Sequence, residues 1–306
     1  RRALGETGRV DRRGFLVGAT ALLAAGCARV PPPEASLSPA SSAPAAAPLT
    51  IGQDGTPAGA MLAQLIVGAL MAKGRGAAVA AQGKDWQAAL GHGDLSALPA
   101  YAGTVWASLS KDDEPPAAKD LLGEVAGLLA PDVSALPMPG VDGSLVWRVT
   151  ADTARDGITS LARLRDWSDG KVAAVPKLAV SRADGVPGLK AVYGARFELL
   201  KVDDPVQRAS LLTGGTAVIA AFRQTEYTGA SGLVDLVDVE KLTVADPGLV
   251  LVNTALTDAE PEQVLTVDAV AQALTTDMLL DLQAQVAAGG TVTDVATRWL
   301  KEQGLS

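Results

Sequence analysis

This chain of 306 residues has one cysteine, Cys27, and one histidine, His92. A single thiol excludes an internal disulfide, so stability must come from burial. There is no Cys pair, no HExxH run and no P-loop, and His92 lies in a glycine-flanked turn with nothing nearby to make it a base or a ligand. Thr213-Gly214-Gly215 precedes a strand pattern rather than a helix, so no helix N-terminus is offered there to a phosphate. No catalytic residue, metal ligand or cofactor is assigned, and the chain is read as a non-enzyme. Aromatics are also scarce, with 3 Tyr, 5 Trp and 3 Phe. Basic residues number 26 against 34 acidic ones, a net charge of −8. That balance argues against nucleic acid as a partner and against adhesion to anionic lipid by charge. The clustered acids Asp112-Asp113-Glu114 stand before Pro115-Pro116 and read as a solvated loop.

What is present starts with Arg12-Arg13-Gly14-Phe15-Leu16 and an apolar stretch ending in Leu23-Ala24-Ala25-Gly26-Cys27. A basic start, a short apolar segment of about 13 residues and small residues ahead of a cysteine are the parts of a secretory signal. The segment is too short to span a bilayer, which takes about 20 apolar residues. The paired arginines resemble a twin-arginine export signal, a general secretion signal being the alternative. Cys27 sits where a bacterial lipoprotein carries its diacylglycerol and palmitate-type acyl chains. Residues 1–26 are thus expected to be a signal peptide, and the exported body a lipoprotein on the extracytoplasmic face of the cell membrane. Residues 1–26 carry five arginines against Glu6 and Asp11, so without them the net charge of −8 becomes −11. Residues 28–48 are Pro, Ala and Ser with almost no large apolar side chain, and read as an extended spacer.

The remaining 49–306 is long enough for two domains. Leu49–Gly52 reads as a strand, and Thr56-Pro57 caps a helix carrying Leu62, Leu65, Ile66 and Leu70 at helical spacing. Strands are expected at 77–81, 144–149, 171–175, 217–221 and 249–252. Helices are expected at 86–90, from Tyr101 onward, at 120–130, at 188–193 up to Gly194, from Asp204-Pro205, and at 292–300. Alternating strands and helices predict an α/β chain with mostly parallel sheets.

Three segments, in order, carry a resemblance to a known family. Gly93-Asp94-Leu95-Ser96-Ala97-Leu98-Pro99-Ala100-Tyr101-Ala102-Gly103-Thr104 resembles the "GEIDLYPEYTGT" signature of the glycine betaine/choline-binding proteins of ABC transporters. Arg182-Ala183-Asp184-Gly185, with Leu189 and Tyr193-Gly194, resembles that family's "R-x-D-G…L…YG" segment. Val295-Ala296 through Trp299-Leu300 to Gly304-Leu305 is similar to its closing helix. The resemblance implies a two-lobed, type II periplasmic-binding-protein-like fold with the ligand cleft between lobes. Lobe one would combine 49–142 with 249–306, and lobe two would hold 143–248. A small-molecule solute and ABC permease subunits would be the partners, and a monomer is expected. The resemblance also implies the site. A quaternary ammonium cannot donate hydrogen bonds, so aromatic faces hold it by cation–π attraction, and a carboxylate tail wants a positive group. Tyr101 falls on a cage position, Thr104 on a carboxylate donor and Arg182 on the carboxylate-binding position. Phe222 lies near a second cage position. Trp147 stands two residues beyond Leu145, which aligns with a third, and Gln53 or Asp54 takes the position after the first strand. Asp54 there would repel a carboxylate, and no tyrosine stands around Asp246–Val250. This thin cage keeps open a transport-independent lipoprotein acting in envelope assembly or sensing through a protein partner. An envelope enzyme has no residue pattern in its favour.

Overall fold

The computed structural model describes residues 46–110 and 120–306. The expected signal segment 1–26, the lipid-bearing Cys27, most of the spacer 28–48 and the acidic loop 112–114 lie outside them. Among the described residues no helix is long and apolar enough to cross a membrane.

The chain opens with β1 (Leu49–Gln53) and α1 (Pro57–Ala72). The Thr56 hydroxyl accepts the Gly59 N–H at 2.9 Å, and Pro57 fills the first helical position, where a missing N–H leaves nothing unsatisfied. Then come β2 (Ala77–Ala81), α2 (Trp86–His92), β3 (Ala97–Tyr101), α3 (Ala102–Leu109), α4 (Leu121–Leu128) and β4 (Val133–Asp142). Tyr101, expected to start a helix, closes β3 in extended conformation and leaves α3 to begin one residue later.

The next elements are β5 (Leu145–Thr150), α5 (Ala151–Arg155), α6 (Leu164–Trp167) and β6 (Lys171–Val175). After them come α7 (Lys177–Ser181), α8 (Val186–Tyr193), β7 (Phe197–Lys201), α9 (Pro205–Thr213), β8 (Ile219–Arg223) and β9 (Leu233–Asp235). The strand expected at 217–221 is thus shifted by two residues. Its pairing with β5 sets Arg223 opposite Leu145 and ends the strand on a charged side chain. The chain closes with β10 (Pro247–Asn253), α10 (Thr254–Ala259), α11 (Pro261–Ala273), α12 (Thr276–Ala287) and α13 (Val292–Glu302).

Two five-stranded sheets result, ordered β2-β1-β3-β10-β4 and β7-β6-β8-β5-β9. The expectation of mostly parallel sheets needs correction. In each sheet two strand pairs are parallel and two antiparallel. The strand that runs against its neighbours is β10 in the first sheet and β5 in the second, and each is the strand that receives the chain as it passes from one sheet to the other. Such a strand has no crossover helix to return it in parallel. The passage outward runs through Gly143 and Ser144, and the return lies between Asp235 and Pro247.

Each sheet is covered on both faces. In lobe one, Leu62, Leu65 and Ile66 of α1 pack with Val267, Val295, Trp299 and Leu300 from the last helices. On the opposite face Leu98, Val105, Trp106, Leu121 and Val125 form a second layer. Lobe two has Trp147, Ile219 and Ala221 on one face of its sheet and Phe222, Ala220 and Leu212 on the other. Each fully buried Leu, Ile or Phe contributes about 1.5–3 kcal/mol. The two crossings are fastened to each other. The Asp142 carboxylate accepts the Ser144 N–H at 2.9 Å and the Asp246 N–H at 3.0 Å, and the Gly143 N–H donates to the Asp246 carbonyl at 2.8 Å.

Candidate functional site

The lobes meet where β3 ends, and in open α/β sheets ligands sit outside the carboxyl ends of strands. Tyr101 stands there, buried, its ring close against Gly143. A Cβ at Gly143 would lie 2.3 Å from the ring, so the close approach requires glycine. The phenol shares a 2.8 Å hydrogen bond with the Thr225 hydroxyl of lobe two. Burial pushes its pKa up to about 12, against the opposing pull of the Arg223 charge, so Tyr101 is a neutral phenol at physiological pH.

Over the same ring lies Arg223, its guanidinium carbon 4.4 Å from the centroid and well inside cation–π range. Arg223 comes from lobe two and reaches across to lobe one, donating to the Thr104 hydroxyl at 2.6 Å. It also donates to the Gly143 carbonyl at 3.0 Å and to the Asp246 carboxylate at 2.9 Å.

Asp246 is fully buried at the return crossing, and its carboxylate is the junction of the site. One oxygen accepts the Gly103 N–H at 2.6 Å. The other accepts Arg182 at 2.8 Å as well as Arg223. A Cβ at Gly103 would stand 3.0 Å from that carboxylate, so a small residue there keeps α3 close. Arg182, beyond the end of α7, turns its other two nitrogens onto Asp184 at 2.8 and 2.7 Å. Burial alone would lower its pKa, but Asp184 and Asp246 outweigh burial and raise it. The guanidinium stays charged, with its hydrogen-bonding fork in use. Two arginines and two aspartates therefore balance within the crevice.

Farther along, Gln283 of α12 donates to the Thr225 carbonyl at 2.8 Å, tying the loop after β8 to a lobe-one helix. Two cavities border the network. One, of about 160 Å³, lies between Gly103 and Trp106 of lobe one and Arg182, Asp184 and Val244. The other, of about 80 Å³, lies among Asp54, Trp86, Tyr101, Thr104 and Arg223.

The structure thus brings Tyr101, Thr104 and Arg182 into one network and leaves three other expected residues out of it. Phe222 is fully buried in lobe two, between the guanidinium groups of Arg148 and Arg208 at 5.4 and 5.1 Å. Side chains alternate along a strand, so with Arg223 toward the crevice Phe222 faces the opposite way. Trp147 packs in the other core layer of lobe two, 1% exposed. Gln53 ends β1 and accepts the Gly55 N–H at 2.6 Å, while the Asp54 carboxylate accepts the Thr56 N–H and hydroxyl at 2.9 and 2.6 Å. Sequence reasoning missed Arg223, Asp246 and Thr225. One signal was available: Ile219–Arg223 is an apolar run ending in a charge, and a charge buried with such a strand needs partners.

No protein-family model matches the chain. No curated protein matches it either. Solved structures do. The apo form of YehZ from Escherichia coli is 24% identical, covering 85% of this chain and 100% of that one, with a TM-score of 0.62. A glycine betaine/carnitine/choline ABC transporter structure is 17% identical over 84% and 99% of the two chains, with a TM-score of 0.69. An ABC-transporter choline-binding protein in complex with choline is 14% identical over 84% and 88%, with a TM-score of 0.61. At these identities the likeness shows the fold, which is the two-lobed α/β fold of type II periplasmic binding proteins.

Proposed function

We propose that the protein is the solute-binding component of an ABC importer, a binder rather than a catalyst. In this reading it is held on the extracytoplasmic face of the membrane by lipid on Cys27, and it closes on a small polar or quaternary-ammonium solute by hinge motion between lobe one (49–142 and 249–306) and lobe two (143–248). Glycine betaine and choline are the first solutes to consider, because solved neighbours of the same fold are described as binding them. One observation carries the reading. Tyr101 and Thr104 of lobe one meet Arg182 and Arg223 of lobe two around Asp246 at the crossing, in a fold shared across nearly the whole length of those neighbours. An aromatic face for a cation and a guanidinium for a carboxylate then lie on opposite walls of one crevice.

Calorimetric titration of the folded protein with glycine betaine, choline and carnitine tests this. Saturable binding of at least one, weakened by Tyr101→Ala, is the expected result. No heat from any of them sinks the quaternary-ammonium reading. The crevice's internal charge pairing favours one alternative, a transport-independent lipoprotein acting through a protein partner. A strain lacking the gene that still takes up all three solutes at the parental rate would support that alternative.

A further inference from the structure

The two groups best suited to recruit a solute are already engaged by the chain itself. The Tyr101 face, which physical chemistry marks as a receptor for a cation, carries the Arg223 guanidinium. Arg182, the receptor for an anion, donates from two of its nitrogens to Asp184 and from the third to Asp246. The Gly103 N–H at the start of α3, a further donor for an anion, is held by Asp246 too. Arg223 and Asp246 are in turn paired with each other at 2.9 Å. A positive group on an aromatic face joined to a carboxylate on a guanidinium and a backbone N–H is the charge layout of a bound zwitterion, built here from two side chains.

We propose that Arg223 and Asp246 are the specificity-determining residues of the crevice: an internal ion pair that occupies its cation and anion positions and fastens lobe two to lobe one, so that a solute binds only by displacing it. The inference rests on the solute-binding reading given above. The pair is placed to act as a latch because its bonds cross between the lobes. Arg223 sits on β8 of lobe two, and Thr104 and Tyr101 belong to lobe one. Asp246 takes Gly103 from lobe one and Arg182 from lobe two. Removing Arg223 frees the tyrosine face and leaves Asp246 short of one cation, so the crevice becomes net negative and suits a cation. Removing both frees the tyrosine face together with the Gly103 N–H and one arm of Arg182, which suits a zwitterion.

The experiment compares the wild-type protein, Arg223→Ala and Arg223→Ala/Asp246→Ala by calorimetry with choline and with glycine betaine, and by small-angle X-ray scattering without solute. Arg223→Ala is expected to bind choline roughly tenfold tighter than wild type and to scatter as a more open particle. The double variant is expected to shift preference from choline toward glycine betaine. Should Arg223→Ala fail to fold by circular dichroism, Arg223→Gln carries the same expectation, since it keeps the length and discards the charge. If Arg223→Ala weakens binding of a solute that wild type holds, Arg223 grips the solute and the proposal is overturned. Unchanged affinity with unchanged scattering overturns it as well. If no protein in the set binds either solute yet Arg223→Ala opens, the latch stands and it is the quaternary-ammonium reading that falls.

Discussion

Arg208 and Arg223 meet the same kinds of partner in two regions of the molecule. Arg208, fully buried, pairs with Glu226, donates to the Val202 and Asp203 carbonyls at 2.8 and 2.7 Å, and lies 5.1 Å over Phe222. Arg223 pairs with Asp246, donates to the Gly143 carbonyl, and lies 4.4 Å over Tyr101. All partners of Arg208 belong to lobe two, between residues 202 and 226. Those of Arg223 belong to the crossings or to lobe one. The first constellation can come apart only when lobe two unfolds, whereas the second can come apart by rigid-body separation of folded lobes. Under the proposed latch, similar chemistry serves stability in one place and conformation in the other. Glu226 joins the two, because it also accepts the Arg223 backbone N–H at 3.0 Å and so fixes the strand end from which Arg223 reaches out.

The largest expected effect is on the Arg208 side. Glu226→Ala leaves a fully buried guanidinium without its counter-charge, a loss of about 3–5 kcal/mol. Arg223→Ala is expected to lower stability by only about 1–2 kcal/mol, because Asp246 keeps Arg182 and the Gly103 N–H. Urea denaturation measures both. If Arg223→Ala destabilises as much as Glu226→Ala, the distinction between a structural pair and a conformational one is broken. Replacing the buried pair together, as Arg208→Met/Glu226→Leu, sharpens it and is expected to return stability to within about 1 kcal/mol of wild type.

Much of this fold was legible in local pattern. Thr56-Pro57 and Asp204-Pro205 mark helix starts because their caps and first-turn prolines act within a few residues, and both caps form. Gly194 ends α8 in a left-handed conformation at φ 68°, which glycine adopts without strain. Tyr101, Thr104 and Arg182 were readable because they sit inside ordered motifs. Phe222 was misplaced for a physical reason. A strand's side chains change face at every residue, so the face of 222 depends on register, and register is decided by pairing with β5, far away in sequence. Asp246 was invisible for a related reason. Its carboxylate meets a backbone N–H 143 residues away and two arginines 64 and 23 residues away, and no short window contains those partners.

The misplacement of Phe222 can be turned on the comparison between the arginines. Phe222→Leu removes the ring beneath Arg208 and trims a well-packed layer that includes Leu212 and Ala220. A loss of about 1–2 kcal/mol is expected, with solute affinity unchanged. A drop in affinity at constant stability would return Phe222 to the crevice and undo its assignment to the core.

The smallest effect lies on the Arg223 side and separates the tyrosine ring from its hydroxyl. Tyr101→Phe keeps the face that Arg223 covers and deletes the bond to Thr225, which is expected to cost about 1 kcal/mol near neutral pH. The advantage of wild type should then fall as the solution becomes alkaline. Burial raises the Tyr101 pKa in the folded protein to about 12, above the value of about 10 for an unfolded tyrosine. The folded state therefore binds that proton more tightly, and the associated stability is complete below about pH 10 and lost as the pH climbs toward 12. Tyr193, likewise raised to about 12 by burial and by its bond to Asp238, contributes a parallel loss in both proteins and cancels in the comparison. Stability of wild type minus that of Tyr101→Phe, measured by urea denaturation from pH 8 upward, should be flat and then shrink. A difference that stays constant through this range would mean the phenol is as free to ionise in the folded chain as in the unfolded one, and would contradict a sealed contact between Tyr101, Arg223 and Thr225.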